Sequence, residues 1–214
     1  DGETGDSFEV RATNVVNATG VWADRIRPDE ILTEEEIPRI APSRGSHITV
    51  STDKLEIGEA ACVIPAGDRT IMCLPWYGRV LIGPTDSDYD GDIDHVPPSH
   101  DDIDYMLSAV NDYFELQLGP ADITGAQAGV RPLISSGDPK KSVDISRKAE
   151  LYETSSGMLT ITGGKLTTWR RMAEMVVDRI VERDGRVAES RTDDIPLGMP
   201  ARDEDLRTSL TLPE

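Results

Sequence analysis

Residues 159–171, LTITGGKLTTWRR, restrict this chain more than any other part of it. An apolar strand ends in two glycines and opens directly into a helical pattern carrying Met172, Met175, Val176 and Ile180. That strand, turn and helix belong to an architecture mixing sheet and helix. Glycine lets another molecule approach the backbone closely. A helix start offers free N–H groups and a partial positive charge, and Lys165 adds a mobile cation there. The segment therefore reads as a site for an anion, or for a ring oxygen that gains negative charge. A tight turn without a ligand explains the same residues equally well. A phosphate loop does not, because the first glycine of GxxxxGK[ST] is missing ahead of Gly163.

The remaining pattern is mostly β. Residues 8–11 alternate as a strand, and residues 14–18 follow as a short strand closed by Thr19-Gly20. Residues 21–26 are helical, giving a second strand, small-residue turn and helix suited to a phosphate or ligand. Residues 27–42 are charged and punctuated by proline, which predicts a connection. Short strands at 47–50, 61–65, 70–74 and 79–83, with turns at Asp68-Arg69 and Tyr77-Gly78, predict an antiparallel meander. An acidic loop covers 86–98. Ser99 then caps a helix with Asp101, Asp102 and Asp104 early and Ile103, Met106, Leu107, Val110 and Phe114 at helical spacing. A strand at 123–128 runs into GVRPL. Residues 144–147 and 149–152 pair, 158–162 form a buried strand, and the chain beyond Asp184-Gly185 turns polar.

Among the 214 residues, Asp and Glu outnumber Lys and Arg by 40 to 22, a formal charge of -18. A nucleic-acid module is excluded, since it needs a basic face. Bulk attraction to anionic lipid is disfavoured for the same reason. Any anion site must be local and built from placed cations. Arg131, between apolar neighbours and braced by Pro132, offers a planar fork suited to phosphate or carboxylate. A structural pair with an acid is its alternative. Arg147 invites the same two readings, the structural one favoured when it is taken singly. His47 follows Ser43-Arg44-Gly45-Ser46 at a strand start, where it can serve a substrate hydroxyl or act as acid or base. Alone it reads as structural. His95 and His100 look solvated. Asp86, Asp88, Asp90, Asp92 and Asp94 are spaced like a calcium loop, but Pro97 stands where an EF-hand needs glutamate. No metal site is predicted. Cys62 and Cys73 form no metal or CxxC spacing and read as two reduced core thiols. No apolar run reaches the roughly 20 residues of a membrane helix, and the N-terminus is no signal peptide.

Taken in order, VVNATGVWADRI, PSRGSHITV, PWYGRVLIGPTDSDYDG, GVRPLI, ISRK and TITGGKLTTWRRMAE form a series. It resembles the FAD-dependent glycerol-3-phosphate dehydrogenases of the aerobic, quinone-reducing type, over roughly residues 15–180. The resemblance implies an α/β (α+β) fold: a partial FAD/NAD(P)-binding-like domain plus an antiparallel-sheet substrate domain of the glycine/D-amino-acid oxidase type. It divides the chain into residues 1–40 of the FAD-binding domain with a connection, a substrate-binding cap at 41–130, a return to the FAD domain at 131–186, and a linker at 187–214 towards a C-terminal helical domain. It further implies oxidation of glycerol 3-phosphate to dihydroxyacetone phosphate, with hydride passing to FAD and electrons to a quinone or other respiratory-chain acceptor. Arg131 would hold the substrate phosphate, with Lys165 beside it and Arg147 as another substrate-side arginine. His47 would stand near the reacting hydroxyl as the base. Gly163, Gly164, Lys165, Leu166 and Thr167 would contact the flavin ring. Asn17, Ala18, Thr19 and Gly20 would run near the cofactor's ribose and phosphate.

A cytoplasmic protein at the inner face of the cell membrane, held by peripheral contact and compatible with a homodimer, completes that reading. The family's GxGxxG turn is absent from these residues, so the chain is expected to be a truncated piece that binds FAD poorly and is inactive alone. The alternatives are an anaerobic-type subunit or related FAD oxidase, and a non-catalytic binding module. The enzyme reading predicts an exposed apolar face where a cofactor domain packs, the module reading a complete core.

Overall fold

The computed structural model describes residues 2–26, 39–134, 149–196 and 198. They fall into two units, Asp1–Lys165 and Leu166–Glu214. The first unit is built on two sheets. In the larger one, β3 (Cys62–Ala66), β4 (Arg69–Trp76) and β5 (Arg79–Gly83) form the expected meander. Gly67 at φ +62° reverses the chain between β3 and β4, and Tyr77 and Gly78 at +47° and +72° reverse it between β4 and β5. Positive φ at both central residues is what a two-residue type I′ hairpin demands.

The central strand β2 (Ile40–Ser51) pairs on one edge with β5 and the short β6 (Ser87–Asp88), and on the other with β7 (Ile123–Ile134). β2 thus starts well before the expected residue 47. β7 pairs along nearly all of it, and Pro42 and Pro132 face each other across the ladder.

The sheet's inner face packs on helix α2 (His100–Phe114), which follows the short helix α1 (Ala23–Ile26). Alternation puts Ile48, Val50, Ile64, Ile71, Cys73, Val80 and Ile82 inward, where they meet Met106, Leu107 and Val110 of α2. Ser99 caps α2: its hydroxyl accepts from the Asp102 N–H at 3.1 Å, and the Asp102 carboxylate accepts from the Ser99 N–H at 3.4 Å.

Asp102 also ties the helix to β2. It accepts from the Ser46 hydroxyl at 2.7 Å and lies 2.9 Å from Arg44 Nε. Burial alone would raise its pKa. The Ser46 hydroxyl, the Arg44 charge and the Ser99 contacts outweigh that and hold the carboxyl below its ordinary range. A carboxyl depressed in the folded state stabilises the fold above its unfolded pKa of about 3.9. That contribution disappears as pH falls from there through the folded value. Asp102→Ala is expected to cost about 2 kcal/mol of stability at neutral pH, from the lost cap and the unpaired Arg44. The deficit should shrink in acid. Urea unfolding at pH 7 and below pH about 3 checks both parts.

The smaller sheet has order β1 (Val16–Asn17), β9 (Leu159–Gly163), β8 (Ala149–Glu153), with β1 parallel to β9 and β8 antiparallel. Residues 8–11, expected as a strand, are irregular, with Phe8 and Val10 exposed. Alternation without a paired edge does not make a strand. Residues 144–147, expected to pair with 149–152, lie outside the described residues, and β8 pairs with β9 instead. The second unit carries a 3-10 turn (Leu166–Thr168) and helix α3 (Trp169–Arg183), as its spacing predicts. Exposed ion pairs Arg171–Glu174 and Arg179–Glu182 lie along α3. On the outer face of the β3–β4 hairpin, Val63 opposes Met72, and Trp76 meets Tyr77 edge to face; all four are exposed. Among the described residues no helix is long and apolar enough to cross a membrane.

Candidate active site

Alternation along β2 deals the run Ser43-Arg44-Gly45-Ser46-His47 to two faces. Arg44 and Ser46 reach Asp102 of α2. Ser43, Gly45 and His47 take the opposite face, and Arg131 of β7 stands across from Ser43. The Arg131 guanidinium lies flat over Gly45: a Cβ there would sit 2.5 Å from Nη2 and 2.9 Å from Cζ and Nη1. Having crossed the glycine, Nη1 donates to Asp86 Oδ1 at 3.1 Å and Nη2 to the Thr85 carbonyl at 3.2 Å. The Ser43 hydroxyl donates a short hydrogen bond to the same Asp86 oxygen. Arg69 Nη1 donates to the Asp86 carbonyl at 3.0 Å. Arg131, Arg69, Thr85 and Asp86 line an open cleft of about 860 Å³. The Arg131 side chain stays 30% exposed, so its fork is oriented but still reachable.

His47 packs its ring against Gly83, whose φ of +142° suits only glycine. A Cβ at 83 would lie 2.7 Å from the Ser46 carbonyl and 2.8 Å from His47 Cδ2. Burial and then the Arg131 charge hold the His47 pKa below its ordinary value. The imidazole is therefore neutral at pH 7, the form that accepts a proton.

The smaller sheet gathers the other sequence-predicted positions. The Asn17 side chain is buried: Nδ2 donates to the Ala23 carbonyl at 3.0 Å, and Oδ1 accepts from the Thr19 hydroxyl at 2.7 Å and the Thr19 N–H at 3.3 Å. Asn17 thus builds the turn, which leaves Ala18 and Thr19 exposed beside Gly20 at φ +61°. Gly163 closes β9 and Gly164 follows it, at φ +73° and +69°, and Lys165 is exposed. Because β1 and β9 are parallel, residues 18–20 and 163–165 emerge from the same, carboxyl end of the pair. That end is where open α/β sheets bind ligands. The Thr160 and Thr162 hydroxyls of β9 are buried and find no hydrogen-bond partner among the described residues. β7 and the 3-10 turn Gly20–Trp22 both lie against β9, which sets this sheet beside the strand bearing Arg131. Leu166 and Thr167 begin the second unit, and Arg147 lies outside the described residues.

A family model described as FAD dependent oxidoreductase matches residues 1–176. The chain belongs to the FAD dependent oxidoreductase family. Glycerol-3-phosphate dehydrogenase 1 of Mycobacterium bovis is 38% identical over 211 residues, an alignment covering 94% of this chain and 39% of that protein. The chain thus spans well under half the length of that relative. The solved structure of a glycerol-3-phosphate dehydrogenase from Bacillus halodurans, complexed with FAD, is similar with a TM-score of 0.72 and 31% identity, covering 86% of this chain and 34% of that one. A glycine oxidase from Geobacillus kaustophilus is alike in fold alone, with a TM-score of 0.50 and 19% identity over 89% of this chain and 46% of that one. The expected fold of the glycine/D-amino-acid oxidase type holds.

Sequence reasoning missed the partners that fix Arg131. Asp86 falls in the acidic loop at 86–98, yet Ser43 and Arg131 both bind it. The available signal was its place three residues after β5, close enough to remain held by the sheet. Gly45 reads in the sequence only as part of the run before His47, and Gly83 carries no mark. Their role is the space they leave for Arg131 and His47.

Proposed function

We propose that the full protein oxidises sn-glycerol 3-phosphate to dihydroxyacetone phosphate. The observation that carries this reading is the Arg131 fork laid over Gly45 on the face that also bears a neutral His47. A phosphate needs a planar, charged donor, and a secondary alcohol needs a nearby acceptor for its proton. FAD, when bound, would accept the hydride from the alcohol carbon. Residues 18–20 and 163–165 fit such a group, because small-residue backbone and the Thr160 and Thr162 hydroxyls, unpartnered among the described residues, cluster around one end of a parallel strand pair. Gly163, Gly164 and Lys165 would hold the ring. Ala18, Thr19 and Gly20 would approach the ribose and phosphate part, with Asn17 shaping their turn.

Arg131 would bind the substrate phosphate, aided by Lys165 and Arg147. His47 would accept the hydroxyl proton at a ring nitrogen. On this reading the small sheet belongs to the cofactor domain and the large sheet to the substrate domain. The aerobic type, with a quinone as acceptor and a place at the cytoplasmic face of the membrane, is supported by the series of sequence motifs. The names of the two glycerol-3-phosphate dehydrogenases support the substrate.

The test is anaerobic addition of glycerol 3-phosphate to the full-length, FAD-loaded protein. The visible flavin absorbance should bleach with formation of one dihydroxyacetone phosphate per flavin. Bleaching by glycine or another amine but not by glycerol 3-phosphate would replace this reading with an amine-oxidising one.

A further inference from the structure

We propose that Cys62 and Cys73 are a peroxide-oxidisable pair that closes into a disulfide across the β3–β4 hairpin. The two residues stand directly opposite each other in the antiparallel register, two pairs beyond Ile64 and Ile71 and on the same inner face. Directly opposed residues have Cα atoms about 4.5–5.5 Å apart, inside the roughly 4.4–6.8 Å that a disulfide spans. The strand spacing is therefore within the range that a disulfide bridges. Both thiols are free. Cys73 is fully buried, between Cys62 on one side and Ile82 of β5 on the other. Cys62 opens β3 after the exposed Ala60 and Ala61 and is only partly buried. Burial, with the neighbouring Cys62 thiol, pushes the Cys73 pKa up to about 12 and makes it the poorer first nucleophile.

The order of events follows from those two environments. Cys62 sulfur attacks the peroxide, the O–O bond breaks, and a sulfenic acid and one water form. Cys73 sulfur then attacks the Cys62 sulfur. The S–S bond forms, the S–O bond breaks, and the Cys73 proton leaves with the hydroxide as a second water. Two thiols lose two electrons, and the peroxide gains them. A buried partner this close resolves the sulfenic acid before it oxidises further.

The experiment treats the full-length protein with hydrogen peroxide, denatures it, alkylates the remaining thiols and maps the peptides by mass. The expected product joins the peptides holding Cys62 and Cys73, is lighter by two hydrogens than their sum, and is released by dithiothreitol. In Cys73→Ala, dimedone should trap a Cys62 sulfenic acid that the unsubstituted protein does not accumulate. Because a core alanine can disturb folding, Cys62→Ser is the second variant: it should leave Cys73 alkylatable, with no cross-link. Recovery of Cys62 as sulfinic acid beside an alkylatable Cys73, or of both thiols unreacted, would overturn the proposal.

Discussion

Arg131→Ala in the full-length, FAD-loaded protein is expected to lower kcat/KM for glycerol 3-phosphate by about a hundredfold, near 3 kcal/mol. The guanidinium is already oriented by Asp86 and the Thr85 carbonyl and keeps 30% exposure. A phosphate meeting it gains charge-assisted bonds without first ordering a long side chain. Most of the loss should fall on KM, since the phosphate is held alike before and during hydride transfer. Arg131→Lys keeps the charge but not the fork and should lie between. A second readout separates this role from a structural one. The Arg131 charge helps to lower the His47 pKa, after burial. Removing it should raise the imidazole pKa towards, but not to, its ordinary value, and shift the acid limb of the rate profile upward with it. An equal loss for glycerol and glycerol 3-phosphate, or unchanged activity, would sink the phosphate assignment.

Much of this arrangement could be read from residues, for physical reasons that also mark where reading stops. Tyr77-Gly78 acts through its own backbone and Ser99 through a hydroxyl bound to the N–H three residues on, so the hairpin and the α2 start were legible. The helix at 169–183 was legible from its apolar spacing. The reach of β2 back to Ile40 was not. It depends on β7, some eighty residues away, whose Pro132 lies opposite Pro42. GVRPL singled out Arg131 because a guanidinium among apolar neighbours needs a partner. Which partner it takes was hidden, since Asp86 is one of several aspartates in its segment and only the fold brings it to the cleft. Asn17 shows the opposite limit. Its position in the turn was legible, but its amide is engaged inside the turn rather than displayed.

Gly45→Ala is the sharper test, because its effect on activity and its effect on stability should part company. A Cβ at 45 would meet Arg131 at 2.5–2.9 Å, and those atoms are the far end of a flexible side chain. The guanidinium can swing away, so the sheet survives. Gly45 has no positive φ, and alanine in a strand is favoured over glycine by about 0.5–1 kcal/mol. The unfolding free energy should therefore stay within about 1 kcal/mol of the parent. The fork, however, loses its seat and with it Asp86 and Thr85. A fall in kcat/KM of about thirtyfold, near 2 kcal/mol, is expected. Gly83→Ala should behave in the reverse way. Its φ of +142° resists a side chain, and the nearest atom, 2.7 Å away, is the Ser46 backbone carbonyl, which cannot yield without bending β2. Stability should drop by about 2 kcal/mol. A double-mutant cycle completes the argument. If Gly45 acts only by seating Arg131, adding Gly45→Ala to Arg131→Ala should cost almost nothing more. Fully additive losses would mean that Gly45 serves the reaction by some route other than the guanidinium lying over it.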